Sequence, residues 1–270
     1  MSPDWDHPQK KVVTVSHYYL VHIQYLGFRY HGWQKQPGVK TLEGMVEKTC
    51  RFLLGDIEFR ILGTSRTDAL VSAAHSAFEL FVDTPLDPDQ LIRDFNLNLP
   101  NDIRAVRIER VDQTFSIINA PRVKEYAYLF CCGQKPHPFS ASLMAAFHED
   151  LDIRLMQQGA RLFEGKHDFR SYCTQPRPGA CFQREILVSR ITDNTLFTAS
   201  FFPEQSWVYH VHAKGFLRNQ VRLIMGHLIS LGKHEIGLAD IERALKGKRT
   251  EPLRYIAPAS GLILNRIRFT

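Results

Sequence analysis

A short polar loop between two apolar segments restricts the fold of this chain more than any other feature. The segment Gly63–Leu80 reads GTSRTDALVSAAHSAFEL, and an apolar run precedes it. The run Ala77–Val82 at its end alternates between two faces, as a strand requires. The pattern predicts two strands that hold a loop carrying Arg66 and Asp68. Such loops often carry functional groups because the strands fix them, although a turn-capping Asp beside a solvent-exposed Arg gives the same letters.

The composition fits a chain with a sizeable core and no membrane segment. The chain has 270 residues, 44% of them hydrophobic, which suffices for one large or two small domains. No apolar run approaches membrane-spanning length, and the polar N-terminus lacks the apolar region of a signal peptide. Five cysteines without a framework spacing favour a reducing compartment. We therefore expect a soluble cytoplasmic protein with a flexible arm at residues 1–16.

Charge and metal-ligand patterns narrow the chemistry further. The formal net charge is +6, which is compatible with a polyanionic partner such as RNA. His210 and His212 share one face of a predicted strand and are potential metal ligands. No third ligand lies near them in the sequence, and neither CxxC nor HExxH occurs. We therefore expect structural histidines and no bound metal.

The N-terminal part of the chain has the element order of a ferredoxin-like unit. Thr41 is a predicted N-cap of a helix to Leu54, whose apolar residues recur every three or four positions. Asp87-Pro88 opens a second predicted helix, which runs to about Asn96. Strands are predicted at Tyr18–Tyr25, on both sides of the Asp68 loop, and at Ile103–Val111. The order is therefore β-α-β-β-α-β.

The C-terminal part predicts a second half of similar order. Helices are expected at Leu151–Phe163, Phe216–Leu231 and Leu238–Lys246, and strands at Tyr126–Cys131, Ile186–Ile191, Leu196–Phe202, Trp207–Ala213 and Gly261–Phe269. The chain is expected to divide into an N-terminal half at 17–115 and a C-terminal half at 116–270. We expect an α+β fold in which two ferredoxin-like α/β halves, with mixed or antiparallel sheets, meet at a central basic cleft.

The loop sequence GTSRTDALVSA resembles the GxGRTDAGVHA signature of the TruA family of tRNA pseudouridine synthases. Ser65 and Leu70 stand at two glycine positions of that signature, and Ser72 replaces a frequent His. The segment Tyr25–Gln36 is similar to the family's Y-x-G-x-x-Y-x-G-W-Q-x-Q, and GFLRNQVRLIMG is similar to F-L-x-H-x-V-R-x-I-V-G. Similar segments run from about Tyr18 to Phe269, which is almost the whole chain.

The resemblance implies a set of site residues. Asp68 would be the catalytic carboxylate, Arg222 its cationic partner, and Tyr126 a ring that stacks on uracil and is a candidate for proton transfer. Taken alone, Arg222 is typical of an arginine reaching solvent from a helix edge, and Tyr126 of a half-buried strand tyrosine. Arg66 is the candidate to fill the gap left by a flipped base, and Leu262 or Leu264 would form an apolar pocket wall.

Basic residues with interleaved aromatics are candidates to contact RNA phosphates. These residues are Arg29, Lys35, Lys124, Lys246, Lys248 and Arg249. One departure from the family bears on the same function. Many members carry an Arg-containing segment, F-[HN]-A-R, where this chain has Phe115–Ile118.

The implied reaction isomerises uridine to its C-glycoside, pseudouridine. The N1–C1′ bond breaks, the base turns and C5 joins C1′, so the reaction needs neither a metal nor an organic cofactor. A carboxylate in a dry pocket stays charged only beside a cation, and the target base has to leave its stack. The resemblance implies tRNA as the substrate, at a stem or the anticodon arm, and a homodimer as the assembly.

Two other functions remain open on the sequence. A non-catalytic RNA-binding relative would act as a tRNA chaperone and would need no carboxylate near phosphate. A metal-dependent phosphotransfer enzyme would need a second carboxylate, and none accompanies Asp68 in its loop.

Overall fold

The computed structural model describes residues 17–120, 123–247 and 253–269. Within these ranges the strands are β1 (His17–Tyr25), β2 (Phe59–Gly63), β3 (Ser72–Val82), β4 (Ile103–Val111), β5 (Val123–Cys132), β6 (Ala145–Phe147), β7 (Gly165–Asp168), β8 (Gln183–Asp193), β9 (Trp207–Ala213) and β10 (Leu262–Arg268). The α-helices are α1 (Leu42–Leu54), α2 (Pro88–Asn98), α3 (Ile153–Arg161), α4 (Gln220–Gly232) and α5 (Leu238–Leu245). The predicted arm at residues 1–16 lies outside these ranges. No helix within them is long and apolar enough to cross a membrane.

All the strands belong to one mixed sheet. Its main path is β4-β1-β3-β10-β5-β9-β8-β7, with β2 attached to β3 and β6 attached to β5. Two neighbouring pairs are parallel, β3 with β10 and β5 with β6. The prediction of an α+β fold is confirmed. Strands of the two predicted halves are joined within a single sheet, because β10 pairs with β3 on one side and with β5 on the other.

Helices α1 and α2 cover one face of the N-terminal strands. The Thr41 hydroxyl accepts a hydrogen bond from the Gly44 N–H, so the predicted N-cap of α1 is present. Asp87 caps α2 in the same way through the Asp89 N–H. The core beneath them includes Tyr19, Val21 and Ile23 of β1, Leu42 and Val46 of α1, and Leu91 and Phe95 of α2.

Helices α3, α4 and α5 cover the same face of the C-terminal strands. Their core includes Tyr128 and Phe130 of β5, Tyr209 of β9, Met156 of α3, Leu228 of α4 and Ile241 of α5. α3 and α4 approach closely at Gly159, where an added Cβ would lie 2.3 Å from a methyl carbon of Leu231. Helix α4 is buried along almost its whole length, so it forms the centre of this half.

Strand β10 contributes to both cores. Leu262 packs in the C-terminal core, whereas Leu264, two residues further on, packs in the N-terminal core and is fully buried. The parallel pairing of β10 with β3 is short, with Ile263 opposite Ser72 and Leu264 opposite Ala73. Because the Asp68 loop leads directly into β3, this pairing brings the start of β10 beside that loop.

The strand predicted at Leu196–Phe202 is wrong. These residues form turns, in which the Asn194 side chain bonds both the N–H and the C=O of Phe197, and Phe202 N–H donates to Ala199 C=O at 3.0 Å. Phe197 and Phe202 pack against the sheet face opposite the helices. The run is therefore apolar because it covers one face of the sheet. A segment that covers a sheet has the same apolar composition as a strand within it.

The helix predicted from Phe216 begins four residues later, at Gln220. The residue before it, Asn219, has a φ of 59°, so the backbone is left-handed there and the helix cannot extend back through it. The Gln220 side chain accepts the Leu217 N–H at 2.7 Å and closes the preceding turn. The apolar residues before α4 belong to a loop, and that loop lines the cavity described below.

We expect Leu264→Ala to destabilise the protein by about 2–5 kcal/mol, because it leaves a cavity at a fully buried position. Chemical denaturation of the purified protein measures this difference. Leu97→Ala is the matched control, since Leu97 is 81% exposed and its loss should change stability by less than about 0.5 kcal/mol. Equal effects of the two substitutions would contradict the placement of β10 in the core.

Candidate active site

One large cavity lies where the loops of both halves meet the start of β10. Its volume is about 1370 Å³. Its lining is strongly unbalanced in charge: among the described residues Asp68 is the only carboxylate, and six side chains are basic. These basic residues are Arg66, Lys124, Arg177, Arg184, Arg218 and Arg222. A cavity with this charge is suited to a polyanion.

The Asp68 loop is held by hydrogen bonds to the Gly-rich segment that follows β1. Leu70 N–H donates to Tyr30 C=O at 3.0 Å, and Trp33 N–H donates to Thr67 C=O at 3.1 Å. The Thr67 hydroxyl is 2.9 Å from the hydroxyl of Tyr25. The carboxylate of Asp68 therefore projects from a backbone that is fixed on both sides of it.

Two glycines make this backbone contact possible. A Cβ added at Gly27 would lie 2.0 Å from the Val71 carbonyl oxygen, and one at Gly32 would lie 2.7 Å from the Thr67 carbonyl oxygen. Gly32 also has a φ of 87°, in the left-handed region that other residues rarely adopt. Trp33, which is buried, packs against Gly63 at the beginning of the loop.

Arg222 of α4 reaches the Asp68 carboxylate from the other half of the chain. The distance from its Nη1 to Asp68 Oδ2 is 3.5 Å. Its Nε donates to the Ala257 carbonyl at 2.8 Å, which fixes the plane of the guanidinium. The Arg222 side chain is 18% exposed and that of Asp68 is 36% exposed, so the pair lies at the wall of the open cavity.

Tyr126 lies in the same cavity on β5. Burial raises the pKa of its phenol, with smaller contributions from Tyr25 and from the charge of Asp68. The phenol is therefore neutral at pH 7. Its ring contacts Phe216 edge to face, with the ring centroids 5.3 Å apart.

Of the other expected substrate residues, Arg66 and Leu262 line the cavity, whereas Leu264 does not. Arg66 is exposed at the cavity edge and Leu262 forms part of its wall. Lys124 also lines the cavity; its Nζ donates to the Thr64 carbonyl at 3.0 Å, and burial lowers its pKa. Leu264 does not line the cavity, because it is fully buried in the N-terminal core.

The expected RNA contacts outside the cavity are engaged in ion pairs. Arg29 bonds Asp102, which also accepts the Tyr30 hydroxyl at 2.7 Å. Lys35 lies 2.6 Å from Glu47. Neither cation lines the cavity. Lys246, at the end of α5, is 3.9 Å from Glu242, whereas Lys248 and Arg249 lie outside the described residues.

Three of the cavity's arginines were missed by the sequence analysis. Arg177 belongs to the Pro/Gly loop 173–181, Arg184 is the second residue of β8, and Arg218 precedes α4. None of them is within 4.0 Å of a carboxylate in the described part of the chain. A single arginine on a loop or near the end of a strand carries little signal, because only the fold shows that these three positions converge on one cavity.

The described residues contain no group of three His, Cys, Asp or Glu side chains placed to hold a metal ion. His210 and His212 lie on β9 opposite β5 and β8, where burial lowers the pKa of both. His210 is 3.1 Å from the Thr192 hydroxyl. Both histidines therefore belong to the packing of the sheet.

Asp68 on its polar loop contacts a mostly buried arginine in a basic cavity, an arrangement suited to an anionic substrate. A family model described as tRNA pseudouridine synthase matches residues 160–270. The tRNA pseudouridine synthase A of Dictyoglomus thermophilum is 32% identical over 253 residues, covering 92% of this chain and 98% of the relative. The tRNA pseudouridine synthase A 2 of Bacillus cereus is 28% identical over 254 residues, covering 94% of this chain and 100% of the relative. The chain belongs to the TruA family of tRNA pseudouridine synthases.

Leu70, at a glycine position of the family signature, keeps a left-handed backbone with a φ of 68°. We expect Leu70→Gly to be more stable than Leu70→Ala by about 1 kcal/mol, because only glycine adopts this conformation without strain. Thermal or chemical denaturation of the two variants measures the difference.

Leu97 provides the matched comparison, since it is exposed within α2. There the order should reverse, with Leu97→Gly less stable than Leu97→Ala by about 1 kcal/mol. The same order at both positions would contradict the assigned conformation of Leu70.

Proposed function

We propose that this chain isomerises uridine to pseudouridine in tRNA, with Asp68 as the catalytic carboxylate. The observation that carries this proposal is the contact of Asp68 with Arg222 in a cavity where every other charged side chain from the described residues is basic. Membership of the TruA family supports the reaction. The substrate position, a stem or the anticodon arm, stays a prediction.

The reaction rearranges one nucleotide without net oxidation. The N1–C1′ bond breaks, the uracil turns, and a C5–C1′ bond forms; the C5 proton is then lost and N1 gains a proton. Asp68 acts at C1′, as a nucleophile or as a stabiliser of the positive charge on the sugar. Both roles need an ionised carboxylate.

Arg222 serves to keep Asp68 ionised when substrate covers it. In the open cavity water still solvates the carboxylate, which is 36% exposed. A bound nucleotide would remove this water, and desolvation favours the neutral acid unless a cation pairs with the charged form. The 3.5 Å separation of Arg222 and Asp68 is long for an ion pair, and such contacts commonly shorten in the substrate complex.

Tyr126 and Leu262 form the side of the cavity that suits a flat base. The ring of Tyr126 offers a stacking surface, and the neutral phenol favours this role over that of a general base at neutral pH. Arg66, exposed beside Asp68, has the reach to occupy the space that a flipped uridine leaves. The basic rim of Arg177, Arg184 and Arg218 would hold the phosphates around that uridine.

The homodimer and the cytoplasmic location expected from the sequence also stay predictions. Light scattering of the protein, with and without tRNA, measures the assembly. A homodimer would let one tRNA contact two subunits.

We expect Asp68→Ala to abolish pseudouridine formation while tRNA binding is kept, because the substitution removes the reacting group and leaves the basic rim. Incubation with an unmodified tRNA transcript, followed by chemical mapping of pseudouridine, measures turnover, and a filter-binding assay measures affinity. Asp56→Ala, at an exposed turn after α1, is the matched control with wild-type turnover. A folded wild-type protein that modifies no tRNA would remove the enzymatic proposal in favour of the RNA-binding alternative.

We expect Arg177→Gln to weaken tRNA binding and to reduce the slope of log K against log salt by about one, because one phosphate contact is lost. Binding titrations at several salt concentrations measure the slope. Arg154 lies on the exposed side of α3 and outside the cavity, so Arg154→Gln should leave the slope unchanged. Equal slopes for both variants would exclude Arg177 from the RNA interface.

A further inference from the structure

Asn219, directly before α4, lies between the Asp68–Arg222 pair and the loop 173–181. Its Nδ2 donates to the Thr174 hydroxyl at 2.8 Å. Its Oδ1 accepts from Arg222 Nη1 at 3.5 Å, the same nitrogen that is 3.5 Å from Asp68. One amide therefore contacts both the loop that carries Arg177 and the cation that pairs with the catalytic carboxylate.

The conformation of Asn219 differs from that of a residue that caps a helix through its side chain. Asparagine is among the preferred N-cap residues, where its side chain bonds a backbone N–H of the first turn. Here the Asn219 side chain makes no such bond to α4. Its φ of 59° instead directs the amide into the cavity, a conformation that asparagine tolerates better than most residues.

The loop 173–181 is attached to the segment before α4 at a single place. Besides the bond from Asn219, the Thr174 N–H donates to the Arg218 carbonyl at 3.2 Å. Beyond Thr174 the loop is exposed from Gln175 to Gly179. These two hydrogen bonds hold the beginning of the loop against the segment that carries Arg218 and Asn219.

The guanidinium of Arg222 is held at two points. Nε is fixed by the Ala257 carbonyl, and Nη1 lies between Asp68 and Asn219. Without the Asn219 oxygen, the Asp68 carboxylate would be the remaining contact of Nη1 among the described side chains. The Arg222 guanidinium would then be less constrained beside Asp68, and the two side chains would be aligned less often when substrate binds.

We propose that Asn219 is a positioning residue, which aligns Arg222 with Asp68 and joins this pair to the substrate-binding loop 173–181. The inference rests on the proposed isomerase function. It concerns one amide that makes both contacts, to Thr174 and to Arg222. A neutral His can accept from Arg222 through Nδ1, but that nitrogen cannot also donate to Thr174.

Three variants separate the two contacts. Asn219→Gly removes both and fits the left-handed backbone without strain. Asn219→His restores the acceptor for Arg222 and loses the bond to Thr174. Thr174→Val removes the bond to the loop and leaves Asn219 in place. Thr114→Val, which removes a hydroxyl from a turn outside the cavity, is the matched control for Thr174→Val.

Single-turnover rates with enzyme in excess over an unmodified tRNA transcript, and tRNA dissociation constants, are measured for each folded variant. Asn219→Gly should lower the rate at saturating enzyme by about 10- to 100-fold, the range for losing a hydrogen bond to a charged group. Asn219→His should recover most of that rate. Thr174→Val should weaken binding and keep the saturating rate within about threefold, and Thr114→Val should change neither.

Two results would overturn the inference. One is a folded Asn219→Gly variant with the wild-type rate at saturation; the other is an Asn219→His variant as slow as Asn219→Gly. Either result, with an active wild-type enzyme, leaves the proposed function intact. An inactive wild-type enzyme would instead overturn the proposed function, and the inference with it.

Discussion

The contact between two loop backbones determines the position of the Asp68 carboxylate in the cavity. Gly27 and Gly32 allow the segment after β1 to approach the Asp68 loop so closely that a methyl group at either position would overlap a carbonyl oxygen. Hydrogen bonds from Leu70 and Trp33 then fix the loop on both sides of Asp68. Because the loop cannot shift, elements from the distant half of the chain meet a carboxylate in one defined place, and the cavity is built around it.

Local patterns predicted most elements of the fold, whereas the site needed information that is not local. The period of apolar residues and the caps at Thr41 and Asp87 placed the N-terminal helices correctly, since helices form from nearby contacts. Asp68 and Arg222 are 154 positions apart, and only the resemblance to a family connected them. Leu264 shows the limit of that resemblance: it lies on the same face of β10 as Leu262, and only the position along the strand decides that Leu262 lines the cavity while Leu264 packs in the N-terminal core.

The concentration of basic side chains in the cavity destabilises the protein when no anion is bound. Arg177, Arg184 and Arg218 have no carboxylate within 4.0 Å among the described residues, and they share one concave surface with Arg66, Lys124 and Arg222. Their mutual repulsion disfavours the empty cavity, and an anionic ligand relieves it. A ligand that binds only the folded state also stabilises that state by mass action. Binding of an anionic ligand in this cavity would therefore be coupled to the stability of the protein.

The position of β10 has a consequence for biosynthesis. This strand follows every other strand of the described chain, yet it occupies the middle of the sheet, between β3 and β5. Without β10, the other strands of the main path form two separate groups, which end at β3 and at β5. Asp68, Tyr126 and Arg222 precede β10 in the chain, so the strand that joins the two groups and supplies Leu262 is synthesised after them. The two groups of strands therefore become one sheet, and the cavity gains Leu262, only after β10 has been synthesised.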